Sequence, residues 1–437
     1  MLYDVVIAGG GTAGCAAAYT AGRLGLKTLL IEKRIHLGGS ITSGLVIPAM
    51  QAGQNQINTD FFNNLTAELR SIGGQVTYMK NQGWFNPELT KIVLDKMMTK
   101  ANADVLLDTE IQKAEYENRR ITRLFISSSP YSCIPQILSL SNEQIQNPLG
   151  ILSIPIETRY VIDATGNCEV AKLCGCELLG NLQEQQPVSL RFMMSGVDVE
   201  AFGRWLLDFD TDRNVTTVEL IDGVTHLSTA YTWDSDKEWA LKPLFDDAVA
   251  KNILEDRDRN YFQIFTTAGM PSTIAFNCPR VIEDRKAEGP EGRQIYQAAR
   301  ESILRLSNFC KEYFPGFEKA YISNIADMLG VRVSQRIKGK YVYTIDDLKS
   351  GKKFTNPVVT ADYPVDVHSS ERDKSTLHES GEYQLPIESL MSADFDNLFA
   401  AGRCLSADFL AQGALRVQPS CFAMGEGVAK YIVELCK

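Results

Sequence analysis

The sequence predicts an α/β fold: a Rossmann-like domain that is split along the chain by an inserted α+β domain. Three observations predict it. A strand–glycine turn–helix–strand unit opens the chain, YDVVIAGGGTAGCAAAYTAGRLGLKTLLIE from Tyr3 to Glu32. An apolar strand stops abruptly at Asp163-Ala-Thr-Gly166. Near the other end, Asn397-Leu-Phe-Ala-Ala-Gly-Arg403 repeats the strand-then-glycine pattern ahead of a last helix. Between about residues 190 and 324 helical and strand stretches mix without a second G-x-G-x-x-G, the pattern of an α+β unit. The expected division is therefore 1–189 and 325–437 for the nucleotide-binding parts and 190–324 for the insertion.

The opening unit carries a mechanism in each piece. Val5 to Ala8 is the first strand, and Gly9, Gly11 and Gly14 have G-x-G-x-x-G spacing. Gly9 permits the tight turn, Gly11 lets backbone approach a pyrophosphate, and Gly14 lets helix and strand pack closely. The alanine-rich run from Ala13 to Leu24 is a helix whose free N–H groups and positive dipole end suit a phosphate. Glu32 ends the strand from Lys27 to Ile31, 18 residues past Gly14, and is placed to accept from ribose hydroxyls. An acid there disfavours a 2′-phosphate, which reads against NADP.

Further along, Gly38, Gly39, Ser40, Thr42, Ser43 and Gly44 form a second phosphate-friendly loop. Helices are expected from Asp60 to Ile72 and from Pro87 to Lys100, the latter capped by Asn86 with Pro at its first position. Ala103 to Leu107 is a strand, and Thr109 to Tyr116 pairs with Ile121 to Ser127 about a turn. Ser128 to Gly150 is polar, a surface excursion. A third meander strand, Ile151 to Thr158, then leads into a strand ending at Asp163. In the insertion, Val199 to Asp208 and Pro290 to Tyr313 are helical, and Tyr261 to Thr267 and Thr273 to Asn277 are strands. The strand Leu398 to Ala401 is followed by a loop carrying Gly413 and Arg416, then a closing helix with Pro419 at N1 that runs to Leu435.

Bulk properties exclude several classes. Hydrophobic residues make up 44% and charged residues 22% of 437, the balance of an ordinary globular protein rather than a disordered one. A formal charge of −10 argues against nucleic acid or an anionic membrane as partner. No apolar run approaches the roughly 18 residues of a membrane span, and the apolar start lacks the basic flank of a signal peptide, so a cytoplasmic location is expected. Ten cysteines without a C-x-x-C pair and four scattered histidines give no metal-ligand spacing. Cys15 lies in the first helical turn, where a thiolate is stabilised, but no resolving thiol accompanies it and packing is the plainer reading.

Together GGGTAGCAAA with Glu32, GGSITSG, Asp163 to Gly166, LGVRVSQRIKGKYV from Leu329 to Val342 and AAGR…GALRVQPSCFAMGEG resemble the FAD-dependent oxidoreductases of the glutathione-reductase-like class. Succinate dehydrogenase and fumarate reductase flavoproteins are more distant in the same resemblance. It covers residues 1–190 and 325–437 and implies a Rossmann-like FAD-binding domain with a β-meander plus a substrate domain. It implies noncovalent FAD held by Gly9, Gly11, Thr12, Ala13 and Gly14 at the pyrophosphate, by Glu32 and Lys33 at the adenosine ribose, and by Gly39 and Ser40 along the ribityl side. Ala164, Thr165 and Gly166 belong to the adenosine half, Gly402 and Arg403 to the ribityl chain, and Val417 and Gln418 to the pyrimidine edge. Many relatives have Gly-Asp where this chain has Gly402-Arg403, so a guanidinium would replace that contact.

The flavin supplies the redox chemistry, and the chain supplies binding and orientation. Arg416, just before the closing helix, and Arg332 are the candidate catalytic residues, each able to clamp a carboxylate or to pair structurally. Arg191 and Arg336 are further candidates, with Arg332 and Arg336 alternatively a solvated i,i+4 face. Tyr341 and Tyr343 are expected on one side of a strand, walling the pocket or packing. His36 is an ordinary loop residue or, less simply, a covalent flavin attachment. The implied activity is hydride transfer between a small polar metabolite and FAD, with electrons passed to a non-nicotinamide acceptor, since no second nucleotide fold is encoded. Alternatives are a tRNA-modifying flavoprotein, suggested by the GGGxAGCxAA opening, and a non-catalytic flavin-binding protein.

Overall fold

The computed structural model describes residues 2–128, 154–181, 184, 186–232, 239–259, 261–281, 292–367, 376–378 and 381–437. The expected excursion at Ser129–Gly150, the start of the strand from Ile151 and the helix start at Pro290 lie outside the described residues.

The main sheet is a parallel stack. Asp104–Leu106, Thr28–Ile31, Leu2–Ala8 and Ile154–Asp163 lie side by side, and Leu398–Ala400 joins the far edge of the last. Their final residues share one row: Leu106 pairs Ile31, Ile31 pairs Ala8, Ala8 pairs Asp163, and Asp163 pairs Ala400. Five strand ends therefore open onto a single edge, which is where open α/β sheets place their ligands. Thr28–Ile31 is buried throughout, as expected where both faces of a parallel sheet are covered.

One expectation is corrected here. The third meander strand and the strand ending at Asp163 are one continuous strand, Ile154–Asp163. Its first half pairs antiparallel with Arg120–Ser128, which pairs with Thr109–Glu117; its second half pairs parallel with Leu398–Ala400. Thr158 and Arg159 are not turn formers, and the buried–exposed alternation simply continues through them.

The helix after the glycine turn, Thr12–Arg23, is buried along almost its whole length because Ala13, Ala16, Ala17, Ala18 and Ala21 offer no bulk. The closing helix, Gln418–Leu435, crosses directly over it. It begins one residue earlier than expected, so Pro419 is its second residue. The approach is so close that a Cβ on Gly425 would overlap the carbonyl oxygen of Ala13. Helix propensity alone would make Gly425→Ala stabilising by about 1 kcal/mol. Overpacking costs about 1–3 kcal/mol, and the neighbour here is backbone that cannot step aside. We expect Gly425→Ala to lower the thermal midpoint; a raised midpoint would show that the two helices can separate freely.

A second, wholly antiparallel sheet orders Thr216–Ile221, Val224–Thr232, Tyr261–Thr267, Met270–Phe276, Phe192–Ser195 and Tyr321–Ile325. Phe262 and Ile264 are fully buried, and Phe262 contacts the rings of Phe245 and Phe314. Phe309 from the long helix Gly292–Tyr313 completes that cluster against Phe245. By the two-residue period of a strand, Tyr261, Gln263 and Phe265 face the other way.

Three local expectations also give way. Tyr341 and Tyr343 are not on a strand: Tyr343 makes one isolated bridge to Ala407, and both rings pack on Phe354. The loop before Arg416 is a short helix, Phe409–Leu415, capped by the Asp408 side chain on the Ala411 N–H, and Arg416 closes it. Arg332 and Arg336 lie on extended chain and are 9% and 1% exposed, so they form no solvated helical face. No described helix is long and apolar enough to cross a membrane. No described cluster of three or more His, Cys, Asp or Glu could hold a metal.

Candidate active site

A cavity of about 950 Å³ runs along the shared strand ends, near the upper limit of roughly 300–1,000 Å³ for small-molecule and cofactor sites. Ala8, Ile31, Ala164 and Ala401, at or just past four of those strand ends, line it. It has three stretches, each built by different elements.

At the first end are Glu32, Lys33, Arg34, Thr109, Glu110, Ile111, Thr165, Glu169 and Leu173. Glu32 is 7% exposed and held by two backbone donors: Gly10 N–H to Oε2 at 2.6 Å and Arg34 N–H to Oε1 at 2.9 Å. Burial raises its pKa, and these two N–H bonds oppose the rise. Lys33 reaches Glu169 at 3.2 Å across the mouth. The loop after Asp163 is pinned by that buried side chain, which accepts from Thr165 N–H and Oγ1 and from Ala171 N–H. Burial raises the Asp163 pKa, again against its hydrogen bonds.

The middle is glycine backbone. Gly9 has φ of +94°, and a Cβ there would lie 2.7 Å from the carbonyl oxygen of Ala164. The second glycine loop folds onto the first: Gly38 N–H donates to Gly10 O at 2.8 Å, and Thr12 Oγ1 lies 3.0 Å from Ser40 Oγ. Gly11 lines the cavity, yet a Cβ added to it would meet no protein atom within 4 Å. Space is thus kept clear in front of a helix N-terminus, as a pyrophosphate requires. Gly402 and Arg403 close this stretch from the opposite side. Arg403 is held by Nη1 to Val331 O at 2.6 Å, with Nη2 3.5 Å from Asn167 Oδ1; burial lowers its pKa.

At the far end the closing helix delivers Val417 and Gln418, with the Gln418 amide donating to Val46 O at 2.7 Å. Val46, Ile47 and Pro48 face Gly330, Val331 and Arg332, and Tyr261, Gln263, Phe265 and Asn277 from the antiparallel sheet form the roof. Tyr261 donates to Gln263 Oε1 at 2.6 Å, and the Asn277 amide donates to the Tyr261 oxygen at 3.0 Å. Arg191, Arg416 and Asp366 complete the wall; Arg416 Nη2 donates to Asp366 O at 2.8 Å.

Of the residues singled out from the sequence, the FAD contacts other than Gly14, together with Arg191, Arg332 and Arg416, line this one cavity. Gly14 sits beneath the turn, where a Cβ would overlap the Gly9 carbonyl oxygen. Arg336, Tyr341, Tyr343 and His36 do not line it. Arg336 donates to Ala407 O and pairs with Glu184 at 2.6 Å. His36 Nε2 lies 3.6 Å from Asp327. Cys15 is buried with its thiol on Gly10 O at 3.1 Å, and burial pushes its pKa up to about 12, so it carries no thiolate near neutral pH. Sequence reasoning missed the whole roof. The alternation Tyr261, Gln263, Phe265 was visible, but nothing local says which face of a strand meets a cavity.

These residues fit FAD: an acid beside a hydrophobic slot, a clear glycine floor at a helix N-terminus, and a second helix N-terminus beyond it. The chain is 25% identical over 366 residues to a dihydrolipoyl dehydrogenase of Bacillus subtilis, a match spanning 80% of this chain and 68% of that one. It is 28% identical over 160 residues to a ferredoxin–NADP reductase of Malacoplasma penetrans, spanning 36% of this chain and 46% of that one. Among solved structures, a geranylgeranyl bacteriochlorophyll reductase-like protein of Thermoplasma acidophilum aligns over 100% of this chain and 79% of its own, at 16% identity and a TM-score of 0.46. Residues 4–133 and 145–433 match the family model described as FAD dependent oxidoreductase, and the chain belongs to that family of FAD-dependent enzymes.

Proposed function

We propose that this enzyme passes a hydride between a small polar metabolite and noncovalently bound FAD, and hands the electrons to a non-nicotinamide acceptor. Bound FAD supplies the two-electron chemistry; the chain binds, orients and excludes water. Gly9, Gly11, Gly39 and Ser40 hold the pyrophosphate with backbone and hydroxyl donors, and Glu32 takes the ribose hydroxyls with the lone pairs its backbone donors leave. Val417 and Gln418, at the closing helix N-terminus, would hold the flavin pyrimidine end, where negative charge would grow on reduction. Residues 190–324 act as the substrate domain, laid over the far end of the cavity. The absence of a second G-x-G-x-x-G supports the choice of acceptor.

The observation that carries this reading is the continuity of the cavity: one space joins the glycine floor to a polar, arginine-lined end. Acid precipitation of the yellow protein should release FAD into the supernatant; colour retained in the pellet would mean a covalent bond. Arg416→Ala should keep FAD while slowing anaerobic flavin bleaching by a metabolite found in a screen by about 100-fold, the size expected for removing one charged contact to the reacting centre. Unchanged kinetics would remove Arg416 from the chemistry.

A further inference from the structure

Among the described residues, the far end of the cavity carries more arginines than carboxylates. Arg191, Arg332 and Arg416 line it directly. A fourth, Arg280, stacks on the ring of the lining residue Tyr261, its guanidinium carbon 3.3 Å from the ring centroid. The lining at this end contains one carboxylate among the described residues, that of Asp366; the other lining carboxylates, Glu32, Glu110 and Glu169, group around Lys33 and Thr109 at the opposite end.

The arginines are mostly held by neutral acceptors. Arg332 Nη1 donates to Pro187 O at 2.7 Å and Ser189 Oγ at 3.1 Å. Arg191 Nη1 donates to the carbonyls of Leu45 and Ile47 at 3.2 and 3.4 Å. Only Arg416 meets the carboxylate, at 3.4 Å. Among the described residues, Nε and Nη2 of Arg280 and Nε of Arg416 are buried without an acceptor. The groups also feel one another: burial lowers the Arg332 pKa first, and Arg280 and Arg416 lower it further. Burial brings Arg191 down to about 10 and also lowers Arg280. Desolvated cations without counter-charge are costly unless a ligand supplies the charge.

We propose that the substrate is a small organic acid with at least two carboxylates, bound by Arg191, Arg332 and Arg416 in front of the flavin, with Arg280 adding positive charge from behind Tyr261. Three lining guanidinium groups, with Arg280 behind them, against one described carboxylate leave room for a dianion, and Tyr261, Gln263 and Asn277 add neutral partners for hydroxyl or carbonyl oxygens. The proposal rests on the flavoenzyme reading for its orientation, yet binding can be measured apart from it.

The test is calorimetric titration of the purified protein with succinate, propionate, sulfate and inorganic phosphate at one fixed ionic strength, with FAD content determined separately on the same sample. Succinate should bind at least about tenfold tighter than propionate. It should weaken about tenfold or more in Arg191→Gln and Arg332→Gln while FAD per chain stays the same. Equal binding of succinate and propionate would overturn the proposal, as would sulfate or phosphate binding as tightly as succinate. So would loss of FAD from both variants, which would assign the arginines to the cofactor. If one variant fails to fold, the comparison of succinate with propionate on the wild type still decides. A colourless protein that nevertheless binds succinate selectively would sink the flavin reading and leave the dicarboxylate site standing.

Discussion

Gly11→Ala should fold like the wild type and be purified with little FAD. Gly11 precedes the first helix with φ of −77° and ψ of −164°, a conformation alanine adopts without strain. The added methyl meets no protein atom within 4 Å, so the apoprotein should keep its thermal midpoint. That methyl instead projects into the cavity floor, where the pyrophosphate is proposed to lie. Overpacking of about 1–3 kcal/mol corresponds to a roughly 5- to 150-fold weaker FAD complex. Gly14→Ala should do the opposite. Its methyl would overlap the Gly9 carbonyl oxygen, so the strand–turn–helix unit must open and folding suffers first. Thermal melts of the apoproteins and FAD titrations separate the two effects. Full FAD occupancy in Gly11→Ala would mean that the pyrophosphate does not pass over this residue.

Glu426→Ala should be the most damaging surface-remote substitution, lowering stability by about 3 kcal/mol. Glu426 lies in the closing helix, fully buried. Its Oε2 accepts the Phe61 N–H at 2.9 Å and its Oε1 accepts from Lys430 at 2.7 Å. Phe61 is the second residue of the helix Asp60–Ser71, whose own N-cap residue, Thr59, makes no side-chain cap bond. The cap is supplied from 365 residues away. Alanine leaves that N–H buried without an acceptor, and a void beside Phe61 and Phe422, whose rings lie 5.2 Å apart. Chemical denaturation of Glu426→Ala and Glu426→Gln should show the amide recovering part of the loss, because its oxygen can still accept. Equal stability of all three would show that the cap is dispensable.

Both substitutions bear on what could be read in the chain. Gly11's place on the cavity floor was legible because a glycine turn is local: strand, glycines and helix are contiguous over six positions. Glu426 was not, because its partner is fixed only once two distant helices pack. The hairpin Thr216–Ile221 and Val224–Thr232 was a missed local signal: Asp222-Gly223, both at positive φ, is the dipeptide that a two-residue hairpin turn demands. The single strand Ile154–Asp163 escaped for another reason, since a strand that changes partners midway looks like two.

The sequence by itself determined the parallel nucleotide-binding unit, the glycine floor, Glu32, and the two later strand ends at Ala164–Gly166 and Gly402–Arg403, because each is written in consecutive residues. It also singled out Arg332 and Arg416. Arg191 was singled out there too; tertiary structure alone decided that Tyr261, Gln263 and Asn277 roof the same cavity, that Arg280 stacks beside them, and that Arg336, Tyr341 and Tyr343 do not line it. The physical reason is the difference in range. A turn or a cap is chosen by dihedral preferences and near-neighbour hydrogen bonds, whereas the face of a strand or the partner of a buried guanidinium is chosen by which sheet closes over which.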